Sequence, residues 1–162
     1  MNRVKASMTG LALLAAMAVT PAFAGDVTIN LHALRAKPGK LYIALQKRGE
    51  FLKARASYGE VVASVAAGEK TFIFHDVAPG EYAVLVWHDT NQDGRFTTEP
   101  NGTPLDGWSI RNGQKLLGSP TWNQVKFAVP ADGKMLDLAM FYPDDGTSIS
   151  QPPMRLPAAS SQ

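Results

Sequence analysis

The chain predicts an all-β sandwich, and three observations predict it. Apolar residues recur at every second position in several short runs, the period of a half-buried strand. Turn signals carrying Gly, Pro or Asp separate those runs. No long stretch follows the 3.6-residue period of a helix.

The strands follow in order. Val27, Ile29, Leu31 and Ala33 alternate with Thr28, Asn30 and His32, giving a strand from Asp26 to Ala33. Pro38-Gly39 turns the chain, and Leu41, Ile43 and Leu45 alternate in a second strand. Residues 51–58 suit either a loop or one helical turn. Val61, Ala63 and Val65 suggest a third strand, ended by Ala67-Gly68. Lys70 to Val77 has the β-branched and aromatic composition of a fourth. After Ala78-Pro79-Gly80, the run Tyr82 to Trp87 is continuously apolar, so this fifth strand should be central and covered on both faces.

From Asp89 to Asn123 the chain is rich in Gly, Asn, Asp, Thr and Pro, too long for an ordinary connector. Trp108, Ile110, Leu116, Leu117 and Trp122 give it apolar anchors, so an ordered loop packed on the sandwich is expected. Val125, Phe127 and Val129 alternate, Asp132-Gly133 makes a hairpin turn, and Met135 to Tyr142 forms the last strand. About seven strands in one domain over residues 25–142 suit a β-sandwich of immunoglobulin-like or transthyretin-like order, two alternatives that periodicity does not separate.

The two ends read differently. Arg3 and Lys5 precede an apolar run from Gly10 to Val19, and Ala22-Phe23-Ala24 follows Pro21. A charged segment, a short apolar segment and an A-x-A site, in that order, form a secretion signal cut after Ala24. The apolar run is about half of what a membrane span needs, so no membrane anchor is expected. Residues 143–162, rich in Pro, Ser and Asp, are expected to be a disordered tail. Losing Arg3 and Lys5 takes the 16 basic residues to 14, matching the 14 acids. A neutral domain without a basic run makes no electrostatic case for nucleic acid. Cysteine is absent, which excludes disulfides, thiolate metal sites and cysteine nucleophiles.

One local pattern points to chemistry. In Asp89-Thr90-Asn91-Gln92-Asp93-Gly94-Arg95-Phe96, oxygen-bearing side chains occupy the first, third and fifth places. Gly94 permits a sharp turn, and Arg95 can offer its backbone carbonyl. That spacing gathers hard oxygen ligands around one point, as a calcium loop does. The twelfth place holds Pro100 instead of the expected bidentate Glu; Glu99 comes one residue early and Asp106 lies further on. The competing reading is a hydrophilic turn leaving a central strand, since Asn, Asp and Gly are turn residues. The metal-ligand candidates are therefore Asp89, Asn91, Asp93, the Arg95 carbonyl and Glu99, with calcium as the cofactor.

Other patterns point less far. His88 and Asp89, like His75 and Asp76, should face opposite sides of a continuous strand and could not pair. His32 would need the fold to bring it to the other two histidines to make a metal site. Gly107-Trp108-Ser109-Ile110-Arg111 lacks the last glycine of a nucleophile elbow. Asn101-Gly102-Thr103 is a formal glycosylation acceptor. Trp108 and Trp122, lying in the long loop, are the candidates for an exposed ligand surface, against the usual role of such aromatics as core. No catalytic residue is assigned.

The phrase Val77-Ala78-Pro79-Gly80-Glu81-Tyr82-Ala83-Val84 resembles the strand-turn-strand of transthyretin-like and carboxypeptidase-regulatory-like sandwiches. With His88-Asp89, Asn91, Asp93-Gly94, then Gly102, Pro104 and Gly107, and later Pro120, Val125-Lys126-Phe127 and Tyr142, the chain resembles exported bacterial proteins of domain of unknown function 2141. The likeness runs from about Val27 to Tyr142, and departs at Gly107-Trp108-Ser109, where the family more often has an aromatic-glycine pair. It implies a secreted or periplasmic sandwich and carries over no reaction or ligand. The functional expectation is a periplasmic or secreted, non-enzymatic binding or accessory module for a protein, peptide or sugar. The alternatives are a hydrolase drawing on His88, Asp89, Asp106 and Ser109 of the 88–123 loop, and a structural envelope protein.

Overall fold

The computed structural model describes residues 24–100 and 103–143. The expected signal before Ala24, the tail after Pro143 and the first two residues of the glycosylation sequence lie outside the described residues. Among the described residues eight strands form two sheets: β1 (Gly25–Leu34), β2 (Leu41–Gln46), β3 (Tyr58–Val62), β4 (Gly68–Val77), β5 (Gly80–His88), β6 (Gly107–Ile110), β7 (Phe127–Val129) and β8 (Lys134–Ala139). One sheet has the order β4-β1-β8; the other has β3-β2-β5-β6, with β7 also paired to β5. β1 lies antiparallel to β4 and parallel to β8, so the first and last strands are neighbours.

The inner core forms where the two sheets face each other. Val27, Ile29 and Leu31 of β1 meet Ile43 and Leu45 of β2, and Tyr82, Val84 and Val86 of β5. Fully burying one such aliphatic side chain contributes about 1.5–3 kcal/mol. The alternation of β1 fails at its end: Ala33 is exposed and Leu34 buried. Ala33 has φ 56°, and the β1–β4 register slips between Leu31 and Leu34. An extra residue on β1 makes a bulge that swings Leu34 back to the core. Asp76, at φ 54°, sits at the opposite slip near the other end of the pairing.

β5 is covered on both faces, as its continuous apolar run implies. Its alternate residues Ala83, Leu85 and Trp87 join a second, outer core with Phe96, Trp108, Ile110, Leu116, Trp122 and Val125. This outer core is built by the long loop, which is not structureless. It supplies β6 and a 3₁₀ turn at Gly113–Lys115 and leads into a one-turn helix α1 (Trp122–Val125), after which β7 follows. β6 and β7 pair with different stretches of the same β5 edge, Leu85–His88 and Gly80–Tyr82. The segment between them folds across the outer face.

Two strand boundaries differ from expectation. The third strand is Tyr58–Val62 rather than 61–65, because pairing of Leu41 with Val62 and Leu45 with Tyr58 sets its register. It is an edge strand with three exposed central residues, so it carries little apolar alternation. Val125 closes α1 instead of opening the next strand.

Candidate functional site

The acidic loop begins where β5 ends. Gln92 and Gly94 both take left-handed backbone, φ 59° and 72°, which curls residues 89–94 tightly. The Asp89 carboxylate fills the curl, accepting the Asp93 N–H at 3.2 Å and the Gly94 N–H at 3.1 Å. Asn91 Oδ1 accepts the same Asp93 N–H at 3.1 Å, and Asn91 Nδ2 donates to Asp93 Oδ2 at 3.0 Å. Asp93 also accepts from the Arg95 N–H at 2.7 Å and the Thr97 hydroxyl at 2.9 Å.

Asp106 comes from the other side, immediately before β6. Residues 97–99 and 103–105 run back alongside each other, held by Glu99 N–H to Thr103 O at 2.8 Å and Leu105 N–H to Thr97 O at 2.9 Å. This ladder carries Asp106 to Asp89. Its carboxylate accepts the N–H groups of Thr90 at 3.1 Å and Thr97 at 3.3 Å. One oxygen from each of Asp89, Asp93 and Asp106 lies within 4.8 Å of the others. Asp106 is fully buried and Asp89 nearly so, while Asp93 is exposed.

Burial pushes the Asp106 carboxyl above its ordinary value, and the neighbouring Asp89 charge adds to the rise. The Trp87 indole and the Thr97 and Thr90 N–H groups pull it back. The Trp87 N–H acts on Asp106 from nearby without hydrogen-bond geometry, and this buried nitrogen has no other partner. For Asp93, desolvation works upward but is outweighed by hydrogen bonds from Thr97, Arg95 and Asn91, so its carboxyl is held below the ordinary value.

The expected ligand set is thus partly gathered and partly exchanged. Asp89, Asn91 and Asp93 come together, and the Arg95 carbonyl sits at the loop's exit, accepting the Thr97 hydroxyl at 3.4 Å. Glu99 is exposed and is not among the converging carboxylates; Asp106 takes the remaining place. The Thr98–Pro104 bridge explains the exchange, because it returns the chain seven residues beyond Glu99. Spacing counted along one segment could not show that.

The aromatic ligand surface is corrected outright. Trp108 is 3 % exposed and Trp122 8 % exposed, both within the outer core. Trp108 stacks on Phe141 at 4.8 Å and Trp122 meets Phe51 edge-on at 5.6 Å. They are buried because the outer face of β5 is apolar and the loop covers it, with Phe51, Leu52 and Phe141 packed alongside. The indole N–H of Trp122 acts on the Glu81 carboxylate from nearby without hydrogen-bond geometry.

The remaining polar groups of the loop do not assemble a nucleophile. Ser109 is buried and donates its hydroxyl to the Ala139 carbonyl at 2.7 Å. His88, fully buried, places Nδ1 3.0 Å from the Tyr142 hydroxyl, while its Nε2 has no partner in hydrogen-bond geometry. Gly107 makes room for this pair: a Cβ there would overlap the Tyr142 ring. His32 and His75 lie on the far sheet, each against carboxylates, His32 at 2.9 Å from Glu69 and His75 at 3.0 Å from Asp26.

Comparison with known proteins matches residues 29–137 to the model of a family described as an uncharacterized protein conserved in bacteria (DUF2141). The chain belongs to this family. The match runs from the middle of β1 to the middle of β8 and so takes in both cores and the acidic loop. No curated protein and no solved structure matched.

Proposed function

We propose that this DUF2141 chain is an exported, non-enzymatic binding or accessory module whose acidic loop takes a calcium ion. The protein ligands are Asp89, Asn91, Asp93 and Asp106, with the Arg95 carbonyl beside them. One observation carries the reading: three carboxylates from two separate segments converge within 4.8 Å, one of them fully buried. Like charges at that distance repel, and a divalent cation relieves the repulsion. The backbone N–H bonds use part of each carboxylate's capacity, since an ionised carboxylate offers about four lone-pair sites. Export is supported by the signal-like order of residues 1–24 and by β1, which starts at Gly25, directly after the expected cut. Sequencing the N-terminus of exported protein should give Gly25; a soluble product starting at Met1 defeats the export reading.

The site should be weak, because calcium wants six to eight oxygens and the protein supplies about five. Extracellular modules bind with a dissociation constant of ~0.1–1 mM. At ~5 mM calcium and a midpoint of ~0.5 mM, linkage adds about 1.4 kcal/mol. A domain of this size then melts about 3–7 °C higher. Magnesium should do less, since it dehydrates reluctantly and demands a small octahedral site. Asp93→Asn should remove most of the calcium shift while leaving the fold intact, because the residue is exposed. A wild-type melting curve unmoved by calcium, with calorimetry silent into the millimolar range, leaves residues 89–94 as a turn.

A further inference from the structure

We propose that the free edge of β8 docks an extended peptide of a partner protein, one that presents an acidic side chain to Arg111. β8 is the outer strand of its sheet, and its main chain shows which groups are free. In a parallel pair, alternate residues turn their N–H and C=O toward the neighbouring strand. The Met140 N–H donates to His32 O at 3.0 Å, and His32 is registered with Ala139. Positions 134, 136 and 138 therefore face β1 as well, while Met135, Asp137 and Ala139 face away. The Ala139 carbonyl is taken by the Ser109 hydroxyl. The main-chain groups of Met135 and Asp137 have no partner among the described residues.

The space beside that edge is shaped by a crossing. Past β8 the chain passes from one sheet to the other, and Phe141 exchanges two hydrogen bonds with Trp108 at 2.9 and 2.8 Å. Before the crossing the sheets part. β6 ends at Ile110, and Asn112, at φ 61°, turns the chain away. What remains is a groove of ≈ 560 Å³ whose lining includes Leu136, Leu138 and Phe141 together with Arg111, Asp137 and His32. One Arg111 N–H is held by the Lys126 carbonyl at 2.8 Å; its other donors have no partner among the described residues.

These features select an occupant. Donor and acceptor pairs at two-residue spacing on a sheet edge match an added strand. Such a strand alternates its side chains, sending every second one into the groove. An inward apolar side chain meets Leu138 and Phe141, and an inward carboxylate meets the unpaired donors of Arg111. Outward side chains meet Asp137, which with Glu69 brackets His32, so acids are disfavoured there. The rival is an edge guarded by its own charges, Lys134 and Asp137, against any pairing.

The test is an NMR titration of the full, isotope-labelled chain with synthetic peptides of about eight residues. The peptides alternate Thr and Val and carry either one inward Glu or one inward Lys. The Glu peptide should shift the Met135 and Asp137 amides and slow their hydrogen exchange. The Lys peptide should bind at least about tenfold more weakly, and Arg111→Glu should reverse that order. Met135→Pro, which removes an outward N–H and no bond to β1, should abolish binding of both. Silence at these amides into the millimolar range, or affinity indifferent to the charge swap, overturns the proposal. So does protection already present in the free chain that disappears on removing residues 144–162, or on dissociating a dimer. The occupant would then be the chain's own end or a second copy.

Discussion

The two faces of β5 are equally buried but are covered by different means. Tyr82, Val84 and Val86 face another sheet, whose inward residues alternate except at the bulges near Ala33 and Asp76. Ala83, Leu85 and Trp87 face a loop that carries aromatic anchors at irregular spacing. The inner core is a lattice in which a residue's direction follows from its parity, except at Leu34 and Val77, which the bulges bring back inward. The outer core is assembled from a short strand, a 3₁₀ turn and a single helical turn, so parity says nothing about which of its side chains point inward. A central strand thus reveals that it needs two covers without revealing what the second one is.

Removing one anchor from each core tests whether both faces of β5 are true cores. Trp108→Ala should cost about 3–5 kcal/mol, the range for a large buried aromatic. An exposed tryptophan would change stability by no more than about 0.5 kcal/mol. Ile29→Val, in the inner core, should cost about 0.5–1.5 kcal/mol. Urea unfolding measures both, and a Trp108 variant as stable as wild type would mean the outer core is not a core.

A pH titration reports on the inner-core side at His88, which packs on Tyr142. Burial pushes its pKa below the ordinary 6.5; the Lys37 backbone pulls upward, the Lys37 charge downward and the Asp89 charge upward. The unfolded chain then binds the proton better. The stability from a neutral His88 is intact above about pH 6.5 and falls as the pH drops toward the folded value. Exposed His32 goes the other way: hydrogen bonds to Glu69 and Asp137 raise its pKa, so its contribution is present below 6.5 and lost as pH rises through the folded value. NMR titration should find His88 protonating below 6.5 and His32 above it. The reverse order would remove the buried, neutral imidazole from the account.

The smallest effect belongs to Leu117, next to the buried Leu116 but 98 % exposed. Leu117→Ser should stay within about 0.5 kcal/mol of wild type by urea unfolding. A larger loss would place this side chain in the outer cover.

These contrasts show what was legible beforehand. β1, β2, β4 and β5 could be read because two-sided or one-sided burial writes itself into every residue. β3 was displaced by a few residues because an exposed edge strand has no apolar face to write. β6 was hidden within a run of turn residues, its four positions all buried and carrying no alternation. At the acidic loop, Asp89, Asn91 and Asp93 were legible because they are neighbours in one segment. Asp106 entered by a return of the chain that depends on main-chain pairing alone. Position in a long loop points to exposure for Trp108 and Trp122, but here the loop is a cover and both are buried.

The parallel pairing of β1 with β8 has a consequence for the order of events. The three-stranded sheet has the chain's first strand at its centre and its last strand at one edge, with Asn30 and Asp137 bonded across 107 residues. Chain emerging N-terminus first can pair β1 with β4, but half of the hydrogen-bonding capacity of β1 stays open until β8 arrives. The inner core cannot close before then. Contacts of such long range also slow folding, since loop closure must precede the pairing that offsets it. A chain whose β8 has not yet docked is therefore an incomplete sandwich, with one edge of β1 open.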